Sequence, residues 1–213
     1  MKNARFIAVE GPIGVGKTTF ARMLAEKYKA RMIMEPSQEN PFLENFYKDQ
    51  KKWAFQTQIQ FLFSRYQQLS EFRQQDLFST VTVSDYIFEK DRIFAYMNLS
   101  DNELALYEKI YKLLDPVPVR PDFVIYLQAR LDVLVTRIRR RDLSFERPLK
   151  TSYLEKLLEA YNDFFYHWKE TPLLVINTSD IDFVKSEDDL GELFEVIGRM
   201  KQGTEHFHLV SRK

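Results

Sequence analysis

The sequence predicts an α/β fold, with a five-stranded parallel sheet covered by helices on both faces. Three observations point there. Five short apolar runs recur along the chain without the in–out alternation of a half-exposed strand. Longer stretches of helical character separate them. Of 213 residues, 45% are hydrophobic, and Lys+Arg and Asp+Glu each number 31, so the disorder that comes with low apolarity and high net charge is excluded.

The elements follow in order. Phe6–Val9 is the first strand and Thr18–Tyr28 the helix after it. Met32–Met34 is the second strand, followed by a long Phe-rich helix, Trp53–Arg73. Val81–Val83 is the third strand. Asn102–Leu114 is a helix behind Ser100-Asp101, residue types that cap helix starts. Phe123–Leu127, the helices Asp132–Arg141 and Ser152–Trp168, and the fifth strand Leu173–Ile176 complete the set. The connections between strands two and three, and three and four, are too long for simple crossovers and are expected to carry a substrate site or a subunit interface. Residues 1–200 read as one domain, and 201–213, weakly periodic, as a flexible C-terminal tail.

Composition excludes several functions. A zero net charge offers no broad basic field for a nucleic-acid polymer. The absence of cysteine removes a disulfide framework, a thiolate metal site and a catalytic thiol. No apolar run approaches the ~20 residues that span a bilayer. Met1–Arg5 lacks the apolar core of a signal peptide, so cytoplasmic residence is expected.

The chemistry begins at Gly11-Pro12-Ile13-Gly14-Val15-Gly16-Lys17-Thr18, a complete G-x-x-x-x-G-K-[ST] phosphate loop between a strand and a helix. Gly11, Gly14 and Gly16 let backbone N–H groups turn around an anion, and the helix start that carries Thr19 adds positive partial charge. Lys17 can reach the β- and γ-phosphates, and the Thr18 hydroxyl can bind Mg²⁺. Parallel sheets bind ligands beyond their strand C-termini, where Glu35 and Asp85 share the rim with the loop. A carboxylate such as Glu35 can take the proton of an alcohol acceptor, or it is a solvated loop residue. Asp85 lies beside the metal or the reacting hydroxyl, or is an ordinary surface carboxylate.

On Trp53–Arg73, Gln58 and Arg65 nearly eclipse one another inside an apolar arc of Ile59, Phe61, Leu62, Phe63 and Tyr66. They face either a flat polar ligand or a neighbouring loop that satisfies them. Asp91 can pair with Arg65 across such a pocket, or is an ordinary surface carboxylate. Arg137, Arg139, Arg140 and Arg141 end a helix before the loop Asp142–Pro148. They form either a basic last turn favoured by the helix dipole or a lid over phosphates. Asn177-Thr178-Ser179-Asp180 lacks the Lys of a guanine-reading Asn-Lys-x-Asp, which argues against a GTPase; a small kinase fits the size.

Together these features resemble the deoxynucleoside kinase family over residues 5–185. The residues that carry the resemblance are Phe6–Thr19, Glu35-Pro36, Phe46-Tyr47, Trp53-Ala54-Phe55, Gln58, Ser64-Arg65, Asp85, Asp91–Ala95, Pro121–Ala129, and Glu146 ahead of Tyr153-Leu154-Glu155. The resemblance implies a P-loop kinase fold with an arginine-bearing lid. It implies transfer of the γ-phosphate of ATP, with Mg²⁺, to the 5′-hydroxyl of a deoxynucleoside in nucleotide salvage, by a homodimer. Glu35 would be the base, and Lys17, Asp85, Arg137 and Arg141 its catalytic companions. Thr18 and Asp85 would hold the metal. Tyr47 and Glu146 would bind the sugar 3′-hydroxyl. Gln58 would pair with the base edge, and Arg65 and Asp91 would complete base recognition. Asp182-Phe183 would lie beside the ATP adenine. Partners would be small molecules only.

Two departures stand out. Relatives usually follow the acidic residue after strand three with Arg, whereas Asp85 is followed by Tyr86; Lys90 and Arg92 are the nearby cations that could stand in. The lid is also shortened at Asp142-Leu143. A nucleoside monophosphate kinase of the thymidylate kinase type and a nucleotide-sensing module without turnover are the alternatives. The base is not fixed by sequence; a purine is the expectation.

Overall fold

A computed structural model describes residues 5–75, 81–114, 120–200 and 202–208, with 73–75 as backbone alone. Residues 1–4, read above as no signal peptide, lie outside the described residues, as do 201 and 209–213 of the expected tail. The strands are β1 (Phe6–Glu10), β2 (Arg31–Ile33), β3 (Thr82–Ser84), β4 (Phe123–Gln128), β5 (Leu173–Asn177) and β6 (Thr204–His208). They form one sheet in the order β2-β3-β1-β4-β5-β6, and every pairing is parallel.

The five expected strands are present, and a sixth corrects the count. Part of the expected tail is β6, paired with β5 from Leu173 opposite Thr204 to Asn177 opposite His208. Its sequence, Thr-Glu-His-Phe-His, lies mostly exposed on the sheet edge and carries no apolar run. That is why hydrophobicity alone read it as a tail.

The helices are α1 (Lys17–Tyr28), α2 (Leu43–Lys48), α3 (Gln50–Gln75), α4 (Lys90–Asn98), α5 (Asp101–Leu114), α6 (Leu131–Arg141), α7 (Thr151–Tyr166) and α8 (Glu187–Arg199). α5 starts as its sequence suggests: Glu103 Oε2 accepts from the backbone N–H of Ser100 (2.9 Å) and its hydroxyl (2.6 Å). α8 is capped by Ser186, whose Oγ accepts from Asp189 N, and Glu187, Asp188 and Asp189 oppose the dipole in its first turn.

Alternating residues of the central strands feed two cores. Ile7, Val9, Ile125, Leu127, Leu174 and Ile176 pack with α1, α6 and α8. Ala8, Val124, Tyr126, Leu173 and Val175 pack with α4 and α7 on the other face. Both faces being covered explains the unbroken apolar runs. α3 and α5 share a third cluster with Tyr86 and Phe88. Here the expected arc on α3 needs correction: Leu62 is fully buried, but its neighbour Phe63 is 47% exposed.

The sheet shapes the phosphate loop. Gly11 has φ 153° and lies against β4, where a Cβ would sit 2.4 Å from Leu127 O. Gly14 has φ 86°, and a Cβ there would meet Ile138 Cγ1 at 2.7 Å. Positive φ and lack of space together demand glycine at both positions.

Candidate active site

The C-terminal ends of β1, β2 and β3 and the first turn of α1 meet at one cleft. Its lining includes Lys17, Thr18, Glu35, Tyr47, Gln58, Arg65, Asp85, Lys90 and Glu146, so most of the residues singled out by sequence converge. Asp85, just after β3, ties the rim together. Its Oδ1 accepts from Glu35 N at 2.8 Å, and its Oδ2 accepts from the Thr18 hydroxyl. Lys17 Nζ donates to Gly11 O (2.7 Å) and Pro12 O (3.2 Å). Burial, with Lys90 nearby, lowers its pKa to about 8 against the pull of Glu10, Glu35 and Asp85.

The Glu35 carboxylate is held by two cations. Arg65 donates to Oε1 through Nε (2.7 Å) and Nη2, and Lys90 donates to Oε2 (2.9 Å). Burial works to raise the Glu35 pKa, but Arg65 and Lys90 outweigh it and hold the carboxyl well below its usual range. The Arg65 guanidinium sits 5.0 Å from the Phe61 ring centroid, with Nη1 on Asp91 Oδ2. Asp91 also accepts from Gln58 Nε2 (2.5 Å) and the Tyr107 hydroxyl (2.8 Å). Burial leaves its pKa raised despite Arg65, Tyr107 and Gln58. The expected Arg65–Asp91 pair therefore forms, and Gln58 joins it through its amide. With its amide N on Asp91, Gln58 keeps an Oε1 that has no partner among the described residues.

A row of alternating charge results: Asp91, Arg65, Glu35, Lys90, and then Glu10, whose Oε1 is 3.9 Å from Lys90 Nζ. Glu10 was not singled out from sequence, although a charge closing an apolar strand was the available signal. Of the two stand-ins for the absent Arg, the fold brings Lys90 to Glu35, while Arg92 turns to Glu108 at 3.0 Å. Tyr86 is buried outside the cleft lining, with its hydroxyl on Gln68 Oε1 (2.8 Å).

At the other end of the cleft, Tyr47 stacks on Phe145 with centroids 6.2 Å apart. Burial pushes the Tyr47 hydroxyl up in pKa, so it stays a donor. Glu146 is buried, with Oε1 on Arg141 Nη2 and an Oε2 that lacks a partner among the described residues.

A second cleft lies across the loop, lined by Gly14, Gly16, Thr19, Arg137, Arg140, Arg141, Asp182 and Phe183. Arg137 and Arg141 share a helix face but go to different partners. Arg137 donates to Val15 O (3.0 Å), Thr178 Oγ1 (3.1 Å) and Thr178 O (2.9 Å). Arg141 borders both clefts. Phe183 is buried behind Gly16 with its ring 5.2 Å from Phe20, and Asp182 accepts from the N–H of Val184 and Lys185. Asn177 and Asp180 serve local structure: Asn177 Oδ1 accepts from Ser179 N, and Asp180 pairs with Arg130.

A glycine loop with Lys and Thr at a helix start, opposite a carboxylate-lined pocket on a parallel sheet, defines a P-loop phosphotransferase. The family model described as "Deoxynucleoside kinase" matches residues 7–200, and the chain belongs to that family. It is 41% identical over 194 residues to "Deoxyguanosine kinase" of Bacillus subtilis (strain 168), covering 89% of this chain and 94% of that protein. It is 28% identical over 201 residues to "Deoxyadenosine/deoxycytidine kinase" of the same organism, covering 90% of each. Among solved structures, a deoxyadenosine kinase from M. mycoides with dCMP and a flexible dCDP bound superposes with TM-score 0.77 at 26% identity, covering 92% of this chain and 100% of that one. The protein is thus an enzyme that phosphorylates deoxynucleosides, as the sequence led us to expect. No helix among the described residues is long and apolar enough to cross a membrane.

Proposed function

We propose that this kinase transfers the γ-phosphate of ATP to the 5′-hydroxyl of a purine deoxynucleoside, with Glu35 as the base. One observation carries the reading: the Glu35 carboxylate lines the same cleft as Lys17 and Thr18, and its backbone is tied to Thr18 through Asp85. Glu35 is ionised and so able to accept the hydroxyl proton as the oxygen attacks. Lys17, with Arg137 and Arg141 as lid arginines, would neutralise phosphate charge as it develops. Thr18 and Asp85 offer adjacent hard oxygen donors of the kind Mg²⁺ takes alongside phosphate oxygens and waters. Mg²⁺ bound there would supply charge neutralisation at the phosphates. The unpartnered Glu146 Oε2 and the protonated Tyr47 hydroxyl suit the sugar 3′-hydroxyl. Asp182 and Phe183 would border the ATP adenine.

The free Gln58 Oε1 accepts hydrogen bonds, and since every nucleobase presents an N–H donor, the choice of a purine rests on the relatives. The relative at 41% identity is named a deoxyguanosine kinase, which supports guanine as the first choice. A panel of four deoxynucleosides with ATP and Mg²⁺, scored by ADP release, tests this. The highest kcat/KM is expected for deoxyguanosine; a pyrimidine in first place would remove the purine reading. Gln58→Ala should raise the nucleoside KM roughly 10-fold with a smaller change in kcat, because a buried polar contact to the base is lost.

A homodimer working in the cytoplasm belongs to the same proposal, the location being supported by its use of ATP. On α5, Leu106 and Leu113 are seven residues apart on one face and 49% and 78% exposed, an apolar stripe suited to a second copy. Sedimentation equilibrium should find the protein dimeric and the Leu106→Glu/Leu113→Glu variant monomeric. An unchanged mass in the variant would place the interface elsewhere.

A further inference from the structure

We propose that Lys90, anchored on Glu10, is a positioning residue that fixes the Glu35 carboxylate in register with the phosphate loop. The inference rests on the reading of Glu35 as the base. Lys90 opens α4 and is 3% exposed. A lysine that deep is tolerated when carboxylates compensate it. Two do so: Glu35 Oε2 at 2.9 Å and Glu10 Oε1 at 3.9 Å.

Glu10 is itself clamped. Gly11 N donates to its Oε1 at 2.7 Å, Ile87 N to its Oε2 at 3.2 Å and the Tyr161 hydroxyl to its Oε1 at 3.2 Å. Gly11 is the first residue of the phosphate loop, so the position of the loop backbone is handed through Glu10 to Lys90 and on to Glu35. Arg65, on α3, holds the other Glu35 oxygen. One cation on each oxygen, from two helices, stops the carboxylate rotating about its last bond. With Lys90 gone, Glu35 would keep its charge and its Arg65 contact but lose its fixed direction. Misplacement of a reacting group is felt chiefly in kcat.

The test uses Lys90→Met, Lys90→Arg, Glu10→Gln and Glu35→Gln, with Lys90→Met also made on the Glu35→Gln background. Lys90→Met should lower kcat by about 10–100-fold while the KM for ATP stays within about 3-fold of wild type. Lys90→Arg, which keeps a cation between the two carboxylates, should recover most of that loss. On the Glu35→Gln background, Lys90→Met should cost nothing further, since Lys90 acts through Glu35. Wild-type kcat in Lys90→Met, or its full loss repeated on that background, overturns the inference and leaves Glu35 as the base. Wild-type kcat in Glu35→Gln removes the base reading instead. Should Lys90→Met not fold, Glu10→Gln decides. Assayed well below its melting temperature, it should slow kcat about 3–10-fold by loosening the anchor, and wild-type kcat there overturns the inference.

Discussion

Glu35→Gln should lower kcat by about 10²–10⁴-fold, the usual contribution of a positioned general base. The KM for ATP should hardly move, because Glu35 belongs to the acceptor side of the cleft. The substitution also removes one of the two acidic partners of Arg65 and of Lys90, both buried, so a lower melting temperature is expected. A melting curve measured beside the kinetics separates the two losses. Glu35→Asp serves as a control, since it keeps the charge and moves the carboxylate back by one methylene. A Glu35→Gln enzyme that folds and retains kcat within twofold of wild type would show that the proton leaves by another route.

The second large effect runs in opposite directions for activity and stability. Lys17→Met should reduce kcat by about 10²–10³-fold, the typical cost of one lost donor to developing charge. The unliganded protein should nevertheless melt a few degrees higher. Burial lowers the Lys17 pKa to about 8, below the 10.5 of an unhindered lysine. Between those values the unfolded chain binds more protons than the folded one, so the contribution of Lys17 to stability improves as pH rises through that window. Below it the partly buried charge opposes folding, and Lys17→Met removes that burden. Melting temperatures at pH 7 and pH 9.5 check the sign: the gap between variant and wild type should shrink at the higher pH. A variant that melts lower than wild type at pH 7 would mean that the bonds from Lys17 to Gly11 O and Pro12 O outweigh its desolvation.

Some of this was legible from the sequence because its signals are local. The phosphate loop is contiguous, and its conformation is dictated by glycines whose neighbours are a strand and a helix. The central strands carry their burial in their composition. Gln58 and Arg65 share a face by helical spacing alone, which is why their closeness and the pairing of Arg65 with Asp91 could be anticipated, whereas the turn of the Gln58 amide onto Asp91 could not. The choice between Lys90 and Arg92 could not be read, because two residues on a helix start point in widely different directions and packing of α4 against its neighbours decides which enters the cleft. Nor could the separate partners of Arg137 and Arg141, which depend on where Val15 and Glu146 lie in space. The sixth strand was missed because an edge needs backbone pairing rather than apolar side chains. Phe63 was placed in the core because helix periodicity says nothing about which parts of a long helix are covered.

The alternating charges from Asp91 to Glu10 carry a consequence for anyone redesigning this enzyme's appetite for bases. Changing Asp91, the shared partner of Gln58 and Arg65, would release Arg65 to lean wholly on Glu35, so a pocket retuned there would arrive with a disturbed rim around Glu35. Broadened substrate choice is therefore best sought through compensating pairs of substitutions, or through apolar wall residues such as Leu43 and Ala54 that stand apart from the charged row.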